Sequence, residues 1–175
     1  MLMRDVIEAA KSRGDLIPAM PIAPWSGKRR VLLMCRPVSE ALSLGRVDAD
    51  EKARQRWAAL EAIFSHFIEG GRIDGEFLKQ LEPFKFEHWT IRQRKPRPAW
   101  RVFGRFAEPD VFVATHVVAR IDLKGKWSLE YELEKLECEK HWKKVGLPPT
   151  PFTDNPEFRL ESYVTFNAVP RVRIE

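Results

Sequence analysis

Four arginines stand at even spacings in two neighbouring β-rich runs, Arg92 and Arg94 in the first and Arg101 and Arg105 in the second. A guanidinium is always charged, and its planar fork of donors matches the oxygens of a phosphate. Side chains two or four apart along a strand share a face, so each pair points one way. A phosphate-rich chain is the ligand such a surface would take. His116 and Arg120 lie in a third run, and Lys124 and Lys126 in the basic stretch that follows it. A histidine ordinarily titrates near neutral pH, so His116 could act as a general acid or base, or serve as a structural strand residue.

Those residues need strands to carry them. Residues 84–94, 99–106 and 111–121 are rich in aromatic and β-branched residues, with Lys95-Pro96-Arg97-Pro98 and Glu108-Pro109-Asp110 between them. Short turns between consecutive runs predict an antiparallel meander. Trp100, Val102, Gly104 and Phe106 form one parity of the second run and belong in the core, which leaves Arg101, Phe103 and Arg105 on the opposite face. In the first run Trp89 and Ile91 point inward, so His88, Thr90, Arg92 and Arg94 point outward. The third run splits into Val111, Val113, Thr115 and Val117 against Phe112, Ala114, His116, Val118 and Arg120. His116 and Arg120, of the second set, are placed with the arginines.

Charge distribution supports the same surface. Residues 85–127 hold ten Lys/Arg and four Asp/Glu, a net +6, against +5 for all 175 residues. A basic segment of this kind is the electrostatic footprint of a polyanionic partner. The alternative is an ordinary solvated sheet face, its arginines paired with Glu87, Glu108 or the acidic start of a later helix.

The rest of the chain frames the meander. An apolar content of 44% suits a single α+β domain of this size. Residues 3–13 predict a helix broken at Gly14, and residues 17–30, with Pro18, Pro21 and Pro24, an extended connector. Residues 31–35 predict a buried strand ending at Arg36-Pro37. Asp48 or Asp50 caps a helix reaching Glu69, with Trp57, Leu60, Ile63, Phe64 and Phe67 as its apolar stripe. Residues 74–81 predict a second, short helix. Ser128 caps a helix to Val145 with Leu129, Leu133, Leu136 and Trp142 inward. A proline-rich loop and a strand over 158–166 close the chain. The segments 1–30 and 146–175 are thus extensions of a central domain, residues 31–145, on which the second packs.

The order of strand, two helices, three-stranded meander and terminal helix resembles the RelE/HigB-type toxins of bacterial toxin–antitoxin systems. "EHWTIR" (87–92), "AWRVFGRF" (99–106) and "VFVATHVVARIDLKGK" (111–126) resemble that family's second, third and fourth strands. The resemblance covers about residues 31–145. It implies a RelE-like fold and metal-independent cleavage of RNA, in which a ribose 2′-hydroxyl is activated against the adjacent phosphate. His116, Arg101 and Lys124 would then be catalytic, and Arg92, Arg94, Arg105, Arg120 and Lys126 would bind nucleic acid. The implied partners are RNA or the ribosome and an antitoxin-like protein; the expected location, the cytoplasm, rests on the two cysteines, which suit a reduced protein. The family's adjacent lysines are here separated into Arg120 and Lys124, and relatives of the ParE type do not cut RNA. A non-catalytic module that binds nucleic acid or a protein is therefore the alternative.

Other chemistries find little support. Two cysteines, Cys35 and Cys138, are too few for a disulfide framework. Cys138-x-x-His141 lacks the second pair a zinc site requires. No phosphate-binding glycine loop, dinucleotide fingerprint or nucleophile elbow is present, so neither a metal nor a cofactor is expected. No segment has the length and apolarity of a membrane span, and no partner in a membrane is expected.

Overall fold

The computed structural model describes residues 2–23, 27–125, 128–148 and 160–169. A six-stranded mixed sheet forms the middle layer, with helices on both faces. Its strands are β1 (Leu16–Pro18), β2 (Val31–Cys35), β3 (Leu78–Gln80), β4 (Trp89–Arg92), β5 (Trp100–Glu108) and β6 (Val111–Ala119). They lie in the order β1-β2-β6-β5-β4-β3. The helices are α1 (Met3–Ser12), α2 (Arg36–Arg46), α3 (Glu51–Ile68) and α4 (Leu129–Lys144).

The sheet is not wholly antiparallel. The central neighbours β2 and β6 run parallel, Val31 opposite Val111 and Met34 opposite Ala114. The chain leaves β2 through two helices before the meander returns it beside β2, and that long crossover makes a parallel pairing available. The crossover also corrects the predicted helices. β2 ends before Arg36-Pro37 as expected, but the same residues open α2, a helix that was not expected, with Cys35 as its N-cap. Proline's fixed φ and missing N–H cost nothing in the first turn. Asp50 caps α3 by accepting from the Lys52 N–H.

The expected helix over 74–81 is instead a turn and a strand. The Asp74 carboxylate accepts from the Glu76 and Phe77 N–H groups, which closes a turn. Leu78–Gln80 then pairs antiparallel with β4, Leu78 opposite Ile91. The first meander strand is shorter than expected, because Phe84–Phe86 is a 3₁₀ turn and Glu87 adopts a positive φ.

One face of the sheet packs on α2 and α3. Val38, Leu42, Leu60, Phe64, Phe67 and Ile68 meet Trp89, Ile91, Val102, Phe106, Phe112 and Ala114 there. Each fully buried side chain of this size contributes roughly 1.5–3 kcal/mol. The opposite face packs on α1 and α4, where Ile7, Ala10, Trp142 and Val145 meet Leu16, Leu33 and Val113.

Both extensions are built into this body. β1 pairs antiparallel with β2 and extends the sheet. Residues 160–169 form a 3₁₀ turn and loop, and the described part of the expected strand over 158–166 is not a strand. Tyr163 packs on Trp89 with ring centroids 4.8 Å apart and donates to Glu87 Oε1 at 2.7 Å. Buried Arg30 clamps the same segment, donating to the carbonyls of Phe67 at 2.8 Å and Gly71 at 3.0 Å and also to that of Phe166.

Candidate polyanion-binding cleft

The cleft begins with the pairing of β4 and β5. Arg92 stands opposite Arg101 in the register, so two guanidiniums leave the same face side by side. Like charges directly opposite on neighbouring strands repel. Arg101 is only 6% exposed. Its Nη1 donates to the carbonyls of Gln93 and Trp100, both at 3.0 Å, which fixes the head group. Burial lowers its pKa, and the nearby Arg92 and Arg120 lower it further, while Tyr131 acts against them. Arg120 follows β6 in a 3₁₀ turn, and its Nη1 donates to the carbonyl of Leu123.

A pocket of about 110 Å³ sits over these groups, lined by Arg92, Arg101, Arg120, Tyr131, Lys79 and Lys135 among others. Lys135 reaches it from α4, held by the Glu82 carbonyl at 2.8 Å and by Glu132 at 2.5 Å. Two wider grooves adjoin the pocket. One, about 720 Å³, shares Arg92, Arg101 and Arg120 with it and adds Arg94 and Arg97. The other, about 610 Å³, shares Arg92, Arg94 and Arg97 and continues to Arg72 and Lys95. Arg92 lines all three, so they form one continuous basic surface. Carboxylates border it at both ends: Glu82 lines the pocket and Glu132 pairs with Lys135 there, while at the outer end Glu76 is 3.6 Å from Arg92 and 2.5 Å from Arg94. Among the described residues no carboxylate pairs with Arg101 or Arg120. No described residue of 2–23 or 160–169 lines these pockets.

The meander therefore brings Arg92, Arg94, Arg101 and Arg120 together. The other expected residues lie elsewhere. Arg105 is buried beneath α4, its Cζ 4.7 Å over the ring of Trp142, with Glu87 and Glu139 raising its pKa against the effect of burial. It shares the face of Arg101 but not the cleft, because α4 covers that end. Lys124 is 83% exposed, 3.6 Å from Glu130, and lines none of the three pockets. Lys126 lies outside the described residues.

His116 is also under α4. Its ring stacks on Phe103 at 5.0 Å, and its Nε2 is 2.7 Å from Glu134 Oε2. Thr115 Oγ1 donates to the Phe103 carbonyl at 3.0 Å, so that hydroxyl is left to accept from His116 Nδ1, also at 3.0 Å. One further proton must then lie between Nε2 and the Glu134 carboxyl. Burial pushes His116 down to about 4, with His141 adding to it, and burial pushes Glu134 up. Both directions favour the carboxyl over the imidazole as holder of that proton. His116 is buried, Glu134 is half-buried, and the pair lies outside the cleft.

A β-bulge explains why simple alternation mislabelled β6. Phe103 pairs with His116 but Gly104 pairs with Ala114, so Thr115 is the extra residue. Before it, Phe112 and Ala114 face α2 and α3; after it, Val117 does. Phe112 and Ala114 are therefore not with the arginines, whereas Val113 and His116 both face the α4 side. Gly104 sits where the strands close up, since a Cβ there would overlap the Val113 carbonyl and lie 2.6 Å from Phe112 Cζ.

Sequence reasoning missed Lys79, Tyr131 and Lys135. The available signal was on α4, whose inner face is polar. Leu129, Leu133 and Leu136, expected inside, are 70%, 53% and 61% exposed. Tyr131, Glu134, Lys135, Cys138 and Trp142 face the sheet instead.

Among the described residues no group of three or more His, Cys, Asp or Glu side chains could hold a metal ion, and no helix is long and apolar enough to cross a membrane. No family model, curated protein or solved structure matches this chain.

Proposed function

We propose that the protein binds the backbone of single-stranded RNA along the Arg92–Arg101–Arg120 cleft, without need of catalysis. One observation carries the reading. Arg101 is a buried cation set between two other arginines, with no carboxylate paired to it among the described residues. A buried charge without a counter-charge is costly, and a bound anion would remove that cost. The continuous grooves past Arg94 and Arg97 supply further phosphate contacts on one side. Apart from α1 and β1 ahead of it and β3 before the meander, the chain order of β2, α2, α3, β4–β6 and α4 supports the resemblance to RelE/HigB-type toxins, which makes RNA the nucleic acid of choice.

Cleavage is the second reading. Tyr131 is the group that favours it, because it lies in the cleft beside Arg101 and carries a hydroxyl able to exchange a proton. His116 contributes nothing to it from beneath α4.

Fluorescence anisotropy with a labelled single-stranded RNA tests the proposal. Binding should weaken log-linearly with salt, as phosphate neutralisation requires. Absence of binding at about 50 mM salt would reject it. Intact RNA after incubation supports the binding module, and fragments that vanish in Tyr131→Phe support the second reading.

A further inference from the structure

Within the cleft, the small pocket and the wide grooves ask for different parts of a ligand. The grooves of about 720 and 610 Å³ can follow a chain. The pocket of about 110 Å³ has room for a phosphoryl group but not for a strand with a nucleoside on each side. It also concentrates the charge. Arg92, Arg101, Arg120, Lys79 and Lys135 line it against one lining carboxylate, Glu82, with Lys135 paired to Glu132, and Arg101 is more than nine-tenths buried.

A phosphodiester carries one negative charge and must continue in two directions. A phosphomonoester carries close to two at neutral pH, offers three strong acceptor oxygens and ends the chain. Arg101 is rigidly held by two main-chain carbonyls, which presents its remaining donors without loss of side-chain freedom on binding. The Tyr131 hydroxyl adds a neutral donor on the same wall.

We infer that the pocket is a terminal-phosphate site: it holds the phosphomonoester at one end of an RNA strand, and the strand runs outward past Arg94 and Arg97. This rests on the RNA-binding reading and adds to it a preference for a phosphorylated end. The same chemistry occurs at a 5′ or a 3′ terminus, so both are to be tested.

The experiment compares one RNA octamer in three forms, with a 5′-phosphate, with a 3′-phosphate and with hydroxyls at both ends, titrated against the full chain by competition anisotropy. One phosphorylated form should bind about tenfold or more tighter than the hydroxyl form, as one additional charge-assisted contact implies. Arg101→Met should reduce that ratio to near one. Arg120→Met, at a partly exposed position, should do the same and guards against a folding defect in the first variant, with circular dichroism melts on both. Equal affinity for all three octamers overturns the terminal-phosphate site while leaving RNA binding in place. Failure of all three to bind overturns the RNA-binding reading itself.

Discussion

Replacing Arg101 with methionine separates the two roles its environment gives it. Methionine keeps the apolar stem but removes the guanidinium head and its charge. In binding, a charge-assisted hydrogen bond to phosphate contributes about 1.5–3 kcal/mol, so the dissociation constant for single-stranded RNA should rise roughly 10- to 150-fold. The slope of log K against log salt should fall in magnitude by about 0.7, the share of one phosphate contact on a single strand. In folding, two effects oppose each other. Loss of the hydrogen bonds to Gln93 and Trp100 costs roughly 0.5–1.5 kcal/mol each. Relief of repulsion from Arg92, directly opposite, returns about 0.2–1 kcal/mol, and distance from Arg120 adds to that. The net loss of stability should lie between about 0 and 3 kcal/mol, and urea melts measure it independently of binding. An unaltered dissociation constant and salt slope in a folded Arg101→Met protein would refute the reasoning, because Arg101 would then be structural only.

Three further outcomes follow from the geometry. Gly104→Ala should lower stability by about 3 kcal/mol or more, roughly 6–12 °C in a thermal melt, because the new methyl group meets the Val113 carbonyl at the bulge. Glu134→Gln should cost under about 1 kcal/mol and leave the His116 side-chain shifts nearly unchanged by NMR, since an amide can donate to Nε2 as the neutral carboxyl does; a large loss would place the proton on His116 instead. His88 is held down at about 3 by burial, with Arg105 and Lys135 adding to it, while the nearby Glu139 carboxylate is half exposed to water. Its ordinary pKa in an unfolded chain is about 6.5. As pH falls below that value the unfolded state takes a proton that the folded state refuses, so stability drops, by about 2 kcal/mol at pH 5. His116, held down at about 4, adds a similar share, so urea melts at pH 7 and 5 should show a drop of about 4 kcal/mol in the wild type and about half of it in His88→Gln.

What the sequence revealed depended on whether polarity tracked burial. On β5 it did. Val102 and Phe106 go to the core, and alternation placed Arg101 and Phe103 correctly on the far face. On β6 a single bulge residue, Thr115, shifts the phase, and no local pattern announces it. On α4 the rule inverts. The helix covers a sheet face that already carries Arg101, Arg105 and His116, so it turns Tyr131, Glu134 and Lys135 inward and leaves Leu129, Leu133 and Leu136 in water. A stripe search assumes that apolar means inside, and here the inner partner is polar. The proline of Arg36-Pro37 was ambiguous for a different reason, as the residue suits both the end of a strand and the first turn of a helix. β3 is three residues long and gains its identity from pairing with β4, which only the folded chain provides. Arg92, Arg94, Arg101 and Arg120 were therefore legible as a group, whereas the pocket walls from β3 and α4 were not.

Following the arginine side chains themselves during binding is the most direct test of the cleft. In a protein labelled with ¹⁵N, the Nε–Hε resonances of Arg92, Arg101 and Arg120 can be recorded as single-stranded RNA is added. These three should shift together and saturably, with Arg94 and Arg97 moving less and buried Arg105 and Arg30 staying still. RNA that binds while Arg92, Arg101 and Arg120 remain unperturbed would contradict this.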